Sequence, residues 1–240
     1  MITTYDAQII QKKRLTENVY LLKCRRPNLE NWNYIAGQYM IFHIPTPEGK
    51  VVRRLYSIAS SSDDNESIHF IIELVKGGIG SKYINEINEG DKIKLQGPAG
   101  MFVFKPTNHN VVFLATGTGF APIYSMIKSN IGQFTRSVQL FWGMRTITES
   151  YYLDELNLLK SRMPNFSYKL CLSREVEEFN ENCISGHVDC ALESVLQNNS
   201  SMFSNTDFYI CGGKGVVGSL RDYLHKKNIP GDQIFFEKFT

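Results

Sequence analysis

The chain has 240 residues and a formal net charge of +2, and 42% of its residues are hydrophobic. A chain of this length accommodates two modest domains or one large one, and its hydrophobic content predicts a packed core rather than disorder. The lysines and arginines are spread along the chain without a basic stripe that alternates with aromatic residues, which excludes a typical nucleic-acid-binding protein.

The sequence carries no signal for a membrane or for secretion. No apolar run approaches the ~18 residues that a membrane span needs, and the N-terminal segment lacks the charged-then-apolar order of a signal peptide. The five cysteines are scattered, at Cys24, Cys171, Cys183, Cys190 and Cys211. Their spacing fits neither a zinc site nor a plant-type iron–sulfur loop, so we expect no metal and a location in the reducing cytoplasm.

The first hundred or so residues have the pattern of a β-rich domain. Runs of alternating or β-branched residues fall at 7–10, 19–24, 39–44, 54–57, 68–75 and 92–95. Turn residues separate these runs, which predicts a barrel or a sandwich of short strands. One helical segment interrupts them, from Ser81 to about Ile87, and we expect Ser81 to be its N-cap.

After Pro106 the pattern changes to alternating strands and helices. The run 111–115 is apolar throughout, as expected for a parallel strand that is buried on both faces. Further strands are predicted at 138–142, 167–172 and 207–211, and helical segments at 123–131, 153–163, 189–197 and 216–227. This alternation predicts a doubly wound α/β domain with a parallel sheet. The predicted domains are residues 1–106 and 107–240.

Arg54, Tyr56 and Ser57 have the residue types and the spacing of a flavin-binding strand. Residues two apart share a face of a strand, so Arg54 and Tyr56 can touch one ligand, whereas Ser57 points the other way unless the strand ends there. An arginine provides donors for a diphosphate, a tyrosine a flat apolar face, and a serine a hydroxyl for the flavin edge. An ordinary edge strand with an exposed arginine explains this segment equally well.

The glycine-rich segment 77–81 follows a predicted strand and opens the predicted helix. Backbone amides at a helix N-terminus, left uncovered at Gly78 and Gly80, form an anion site to which the Ser81 hydroxyl adds a donor. A flexible turn with a capping serine is the alternative, and for this segment alone it is the favoured one.

A second glycine-rich loop follows the apolar run 111–115 and contains Gly117, Thr118, Gly119 and Pro122. The carboxyl end of a strand is where open α/β sheets bind ligands, and glycines let a phosphate-bearing ligand approach the backbone. Pro122 suits the first turn of the next helix. The loop differs from the longer G-x-G-x-x-G fingerprint, so we do not infer the dinucleotide fold of that motif. A purely structural strand-to-helix turn is the alternative.

Ser173 and Arg174 follow the predicted strand 167–172. A hydroxyl and a guanidinium at this position suit a ribose 2′-phosphate, whereas the adjacent Glu175 suits a ribose without that phosphate. A solvated loop arginine explains Arg174 equally well.

Cys211 and Gly212 end the predicted strand 207–211 and are followed by further glycines. Cys211 is a candidate site residue, and the alternative is a small buried hydrophobic residue at a strand end. Near the C-terminus we interpret Phe235 and Phe236 as core anchors.

Together these segments resemble the motifs of the ferredoxin–NADP⁺ reductase superfamily over essentially the whole chain. The flavin motif R-x-Y-S matches Arg54, Tyr56 and Ser57, and the flavin phosphate motif G-x-x-S matches Gly78 and Ser81. The turn G-P-x-G-x-F at the end of the barrel matches residues 97–102, and the nucleotide loop T-G-T-G-I-A-P matches 116–122 with Phe120 in place of the isoleucine.

The resemblance continues through the second half of the chain. The segment G-x-R followed by Y-x-D-E matches Gly143 and Arg145, then Tyr152, Asp154 and Glu155. Residues 211–217 are similar to the C-G-x-K-G-M element of plant-type members. Glu237 and Phe239 fall where some members carry a carboxylate and a flavin-stacking aromatic residue.

The resemblance implies a six-stranded antiparallel barrel that binds FAD, followed by a pyridine-nucleotide domain. Family members move a hydride from nicotinamide C4 to flavin N5 and then pass single electrons to an acceptor. By this resemblance Arg54 would hold the FAD diphosphate, Tyr56 would pack on the flavin ring and Ser57 would hydrogen-bond near N5. Cys211 would border the nicotinamide, and Phe239 would cover the other flavin face.

We therefore expect an FAD-dependent NAD(P)H oxidoreductase that reduces a small acidic electron carrier, ferredoxin or flavodoxin, and that is a monomer. Ser173 and Arg174 favour NADPH, but the Lys–Tyr pair of plant-type members is missing. Residues 186–188 are similar to the oxygenase-reductase branch, where NADH is also used. The iron–sulfur domain of many oxygenase reductases is missing too, so we expect a separate acceptor. A free-flavin or metal-chelate reductase and an electron-transfer subunit of a larger complex remain open as alternatives.

Overall fold

The computed structural model describes residues 3–27, 31–64, 66–175, 181–197 and 205–239. The chain forms two compact units. Unit 1 contains Met1–Phe104 and Tyr124–Ser129, and unit 2 contains Lys105–Ile123 and Asn130–Thr240.

Unit 1 is built on one antiparallel sheet of six strands. They are β1 (Thr3–Arg14), β2 (Val19–Arg25), β3 (Tyr39–Pro45), β4 (Val51–Ser57), β5 (Ile68–Glu73) and β6 (Lys92–Ala99), in the order β4-β3-β6-β1-β2-β5. The two edge strands meet at a bridge between Ile58 and Phe70, so the sheet curls into a half-barrel. The predicted six-stranded antiparallel architecture is confirmed, although several strands are longer than the sequence pattern indicated.

The interior of the half-barrel follows from the alternation of side chains along each strand. In β3, Met40, Phe42 and Ile44 are buried and the residues between them are partly exposed. Phe42 packs edge to face on Phe70, with ring centroids 4.9 Å apart. This apolar interior holds β4, on which the flavin motif lies, in register with β3.

The helix of unit 1, α1, spans Ile79–Glu86. The prediction that it begins at Ser81 with Ser81 as N-cap is wrong, because the N-cap is Gly78. The Ser81 hydroxyl instead accepts a hydrogen bond from the Val75 amide at 2.7 Å, which ties the preceding loop to the first turn. At the other end Lys12 Nζ donates to the carbonyl oxygens of Asn85 and Ile87, each at 2.8 Å, and so caps the C-terminus of the helix.

Unit 2 is built on one parallel sheet of six strands. They are β7 (Asn110–Thr116), β8 (Val138–Met144), β9 (Phe166–Leu172), β10 (Cys183–Ser185), β11 (Thr206–Gly213) and β12 (Ile234–Phe239), in the order β10-β9-β8-β7-β11-β12. The helices are α2 (Phe120–Ser129, whose last six residues belong to unit 1), α3 (Leu153–Arg162), α4 (Val188–Gln197) and α5 (Lys214–Lys226). The strand order reverses between β7 and β11, as in a doubly wound fold.

The prediction that the run 111–115 is a strand buried on both faces is confirmed. Two strands, β10 and β12, were not predicted. β12 is an edge strand, and the interpretation of Phe236 as a core anchor is wrong because this side chain is 38% exposed. Its ring lies under the guanidinium of Arg221, 3.8 Å from the ring centroid, whereas Phe235 stacks on Tyr209.

All five cysteines are free thiols. Cys24, Cys171, Cys183 and Cys211 are buried, and Cys190 is exposed. Within the described part of the chain, no helix combines the length and the apolar character that crossing a membrane requires.

Candidate functional site

The flavin motif on β4 lies beside the first turn of α1. A β-carbon added at Gly80 would lie 2.6 Å from the Tyr56 hydroxyl oxygen and 3.3 Å from Arg54 Cγ. Arg54 and Tyr56 therefore share one face of β4, as their spacing predicted, and Gly80 allows the helix to approach that face. The Arg54 side chain is exposed, so its guanidinium is accessible to a ligand.

Tyr56 has a fixed orientation. Its ring packs edge to face against Phe42, with centroids 4.8 Å apart, and burial raises the pKa of its hydroxyl. The hydroxyl is therefore neutral at physiological pH, and the half-buried ring provides a flat apolar surface beside Arg54.

The N-terminus of α1 provides amide donors next to the same face. The first amides of a helix have no acceptors within the helix, and here Gly78 caps the turn without a side-chain hydrogen bond. Ser81 Oγ accepts the Val75 amide and keeps its O–H proton as a donor, so this turn offers both the backbone amides and the serine hydroxyl as donors. Arg54 and these amides form a positively polarised cradle without bulky side chains, which fits a diphosphate group.

Ser57 is the last residue of β4 and is 8% exposed. The loop after it is fixed by a network of hydroxyl groups. Ser60 Oγ accepts the His69 amide at 3.1 Å and pairs with the Tyr34 hydroxyl at 2.8 Å, and Ser125 Oγ donates to the Ser60 carbonyl at 2.5 Å. This network holds the backbone that immediately follows Ser57.

In unit 2 the predicted nucleotide loop forms a short turn that joins β7 directly to α2. Gly117–Gly119 is a single 3₁₀ turn, and Gly117 has φ of +52°, a left-handed conformation that favours glycine. Helix α2 begins at Phe120, three residues before the predicted start, so Pro122 lies in its first turn and is buried. Thr118, at the middle of the turn, is partly exposed.

The C-terminal end of β7 with its following turn touches the C-terminal end of β11 where the strand order reverses. A β-carbon at Gly119 would lie 2.2 Å from the Cys211 carbonyl oxygen, and one at Gly212 would lie 2.1 Å from Thr116 Oγ1. Around Gly213, by contrast, a β-carbon would meet no atom of the described residues within 4 Å. The carboxyl ends of the two central strands thus combine a rigid floor with open backbone, which fits a phosphate-bearing nucleotide at the switch point.

Trp142 is a residue of this loop region that the sequence reasoning missed. Its Nε1–H donates to the Gly117 carbonyl at 3.0 Å, and its ring stacks on Phe120 with centroids 4.1 Å apart. Trp142 is paired with Ala115 in the parallel register of β8 and β7. A large donor side chain two residues before the end of a neighbouring strand is the signal that could have identified it.

The candidate residues for a ribose phosphate come together at the ends of β8 and β9. The Ser173 amide donates to the Met144 carbonyl at 3.0 Å, and the Arg174 amide donates to the Arg145 carbonyl at 2.9 Å. The Arg145 side chain is engaged with Glu149, 3.2 Å from Nε, whereas Arg174 is exposed.

Glu175, the residue that made the ribose signal mixed, has a local partner. Its Oε2 accepts the Ile147 amide at 3.0 Å. One of its two carboxylate oxygens is therefore already used within the turn that follows β8.

Cys211 lies on a central strand, and its register partner on β12 is Glu237. Burial, with a smaller contribution from the Glu237 charge, raises the pKa of the Cys211 thiol well above its ordinary value. Cys211 is therefore a neutral thiol at physiological pH, not a thiolate nucleophile. Phe239 is paired with Gly213 at the end of β12 and is partly exposed, and Thr240 lies outside the described residues.

Two protein-family models match the chain, one over each of the two regions that contain candidate ligand-binding residues. The model of the oxidoreductase FAD-binding domain matches residues 6–104, and the model of the oxidoreductase NAD-binding domain matches residues 113–222. The chain belongs to the ferredoxin–NADP⁺ reductase superfamily. The first model contains the cradle at Arg54 and Gly80, and the second contains the turn after β7 and the end of β11.

Individual relatives are similar over nearly the whole chain. The electron transfer component of toluate 1,2-dioxygenase from Pseudomonas putida is 27% identical over 98% of this chain and 68% of its own length. The solved ferredoxin–NADP⁺ reductase of Plasmodium falciparum is 25% identical, with a TM-score of 0.81 over 98% of this chain and 96% of that one. The enzyme of the same type from Neisseria gonorrhoeae, solved with bound FAD and NADP, has a TM-score of 0.83 at 23% identity and covers 98% of each chain.

The superfamily member described here is an NAD(P)H-dependent flavoprotein reductase with FAD as its cofactor. It transfers a hydride from NAD(P)H to FAD and passes the electrons on to an electron carrier.

Proposed function

We propose that Arg54 and the first-turn amides of α1 bind the FAD diphosphate, with Gly78, Gly80 and Ser81 forming the turn. The observation that carries this proposal is the common approach of Arg54 and Tyr56 to Gly80. A guanidinium and uncovered helix amides on one face provide two independent sets of donors for one anionic group. When bound, FAD and the nicotinamide supply the redox chemistry, and the protein supplies binding and alignment.

Tyr56 packs its ring on the flavin, and Ser57 donates a hydrogen bond near N5. The edge-to-face contact with Phe42 supports this role for Tyr56, because a ring that is held from behind presents a fixed face to a ligand. The hydroxyl network around Ser60 supports the role of Ser57, because it limits movement of the residue that must be aligned.

The turn at Gly117, Thr118 and Gly119 and the end of β11 at Gly212 bind the diphosphate of the nicotinamide nucleotide, and Pro122 fixes the first turn of α2. Cys211 borders the nicotinamide as a neutral thiol that excludes water and moves no proton, since its pKa is raised well above neutrality. Glu237 lies beside Cys211 on the adjacent strand β12, and Phe239, the last residue of that strand, covers the flavin.

Ser173, Arg174 and Arg145 bind the ribose end of the nucleotide, and NADPH is the preferred donor. Arg174 supports this preference because its side chain is exposed and its backbone amide donates to the Arg145 carbonyl, which places the two arginines next to each other. The competing interpretation is that the Glu175 carboxylate binds a ribose without a 2′-phosphate. It is weakened because one Glu175 oxygen already accepts the Ile147 amide.

The electron acceptor is a small acidic carrier protein, ferredoxin or flavodoxin, and the reductase acts as a monomer in the cytoplasm. Exposed basic residues next to the flavin cradle, Arg53, Lys76 and Lys82, support an acidic partner through charge complementarity. Five free thiols support a reducing compartment. The domain boundary that we propose lies between residues 106 and 107.

An anaerobic titration of the purified protein with NADPH and NADH, followed by flavin absorbance, tests the proposal. We expect one tightly held FAD per chain, bleached stoichiometrically by NADPH, and reoxidised by ferredoxin or flavodoxin. A colourless protein that reduces added flavin would instead support a free-flavin reductase. The similarity to the electron transfer component of toluate 1,2-dioxygenase does not favour that alternative. A yellow protein that neither nucleotide bleaches would overturn the proposed roles of the turn after β7 and the end of β11.

A further inference from the structure

Trp142 makes a single polar contact with the turn that we assign to the nucleotide. Its indole N–H donates to the Gly117 carbonyl at 3.0 Å, and the same carbonyl accepts the Phe120 amide at the start of α2. Gly117 is the residue in the left-handed conformation, so the two donors fix the one peptide at which the loop changes direction. The following amides, those of Thr118 and Gly119, depend on that peptide for their direction.

The indole plane is itself held from two sides. Phe120 stacks on it with a centroid distance of 4.1 Å and an interplanar angle of 12°, and Tyr151 meets it at 4.8 Å and 76°. Trp142 is 1% exposed. A buried ring in such contacts cannot rotate without disturbing its neighbours, so its N–H points in one direction.

The opposite edge of the turn is also rigid. Gly119 is packed against the Cys211 carbonyl on β11, with no space for a β-carbon. The turn Gly117–Gly119 is therefore held at its first residue by a side-chain hydrogen bond and at its last residue by backbone packing. Only the first of these contacts can be removed by a side-chain substitution without altering a glycine.

We propose that Trp142 is a positioning residue for the nicotinamide nucleotide, acting through the Gly117 carbonyl to aim the amides of Thr118 and Gly119 at the diphosphate. This inference rests on the proposed role of the loop after β7. Trp142 then strengthens binding of the diphosphate, which NADPH and NADH share, and has no effect on binding of the ribose 2′-phosphate.

Trp142→Phe tests the inference because it keeps an aromatic ring against Phe120 and removes the N–H. The matched control is Trp32→Phe, the same substitution at the other of the two tryptophans. Trp32 is 3% exposed, and its indole nitrogen has no hydrogen-bond partner within the described residues, so this change removes no hydrogen bond there.

For Trp142→Phe we expect the dissociation constants of NADP⁺ and NAD⁺, measured by calorimetry on the FAD-loaded protein, to rise by about three- to tenfold, as for one lost hydrogen bond. The KM values for NADPH and NADH should rise by the same factor with kcat unchanged. Binding of 2′-AMP, which lacks the diphosphate, should be unaffected. The Trp32→Phe variant should match the wild type in all of these, and its remaining Trp142 fluorescence should change when NADP⁺ is added.

Three results would overturn the inference. One is that Trp142→Phe binds NADP⁺ as tightly as Trp32→Phe does. Another is that it weakens 2′-AMP and NADP⁺ equally, which would indicate a general structural role. The third is a wild-type protein that binds none of these nucleotides, which would refute the proposed function together with the inference; the first two leave the proposed function intact.

Discussion

Gly119 approaches Cys211 so closely that a β-carbon on the glycine would lie 2.2 Å from the cysteine carbonyl oxygen and 2.5 Å from its carbonyl carbon. Both atoms belong to the backbone of β11, a central strand of the parallel sheet, so they cannot move aside without distorting the sheet. The turn after β7 and the end of β11 thus form one rigid unit at the point where the strand order reverses.

Gly119→Ala is therefore expected to destabilise the protein and to weaken NAD(P)H binding. The methyl group would push the turn away from β11 and displace the amides of Gly117–Gly119. Thermal denaturation and nucleotide titration measure the two effects. Gly132→Ala is the control, because within the part of the chain that the structure describes a β-carbon there meets nothing closer than 4 Å. Equal melting temperatures and affinities in the two variants would contradict the prediction.

Gly80→Ala is expected to lower the amount of FAD that stays bound during purification. The added methyl would collide with the Tyr56 hydroxyl at 2.6 Å and would push α1 away from β4. The double variant Gly80→Ala/Tyr56→Phe removes the colliding oxygen and should recover part of the flavin content, measured as the absorbance ratio of flavin to protein. No recovery in the double variant would show that this contact is not the cause.

Ser57→Ala is expected to slow flavin reduction by NADPH while the protein stays yellow. The loss of one donor aimed at a reacting group commonly reduces a rate by about tenfold or more. Stopped-flow absorbance in the visible flavin band measures the rate. Ser161→Ala, in an exposed turn of α3, is the control. An unchanged bleaching rate would mean that Ser57 does not contact the flavin near N5.

Arg174→Ala is expected to raise the KM for NADPH by about tenfold or more, as for a lost charged hydrogen bond, with a much smaller change for NADH. Steady-state kinetics with both donors measure the difference. Arg162→Ala removes an exposed arginine from the last turn of α3 and serves as the control. If both KM values change equally, the structural preference for NADPH loses its basis.

His69 should make the stability of the protein sensitive to mild acid. Burial lowers the pKa of His69 from its ordinary 6.5 to about 4, although Asp64 opposes the shift. Between these two values the unfolded chain binds a proton that the folded chain does not. The corresponding stability is fully present above pH 6.5 and is lost as the pH falls toward 4, at up to about 1.4 kcal/mol per pH unit.

Urea denaturation at a series of pH values between 7 and 4 measures this loss. His69→Gln should flatten the curve over the same interval, because glutamine does not titrate. Parallel curves for the wild type and the variant would assign the acid sensitivity to other groups.

The sequence was sufficient for the elements with strong local patterns. The run 111–115 has no polar interruption and is only five residues long, which favours a strand buried on both faces over a helix. The shared face of Arg54 and Tyr56 follows directly from the two-residue period of a strand. These features depend on neighbours within a few residues, which is the range over which a single sequence is informative.

The remaining features depend on long-range packing. The segment Ile234–Phe239 mixes charged and aromatic residues, which is usual for an edge strand but gives no clear alternation. Helix α1 begins at Ile79 because the Ser81 hydroxyl accepts the Val75 amide, an interaction that competes with capping. The contact between Trp142 and Gly117 depends on the register between β7 and β8. That register pairs Ala115 with Trp142, which are 27 residues apart in the sequence. None of these is visible from local spacing.

The distribution of the thiols has a practical consequence for measuring the protein in action. Burial raises the pKa of the Cys171 thiol to about 12 and that of Cys24 and Cys211 well above the ordinary value, while Cys183 is only 1% exposed. A maleimide dye at neutral pH should consequently attach to Cys190 in the natural chain, without prior removal of the other four. Such a singly labelled reductase would allow carrier association to be followed by fluorescence anisotropy on an unaltered sequence.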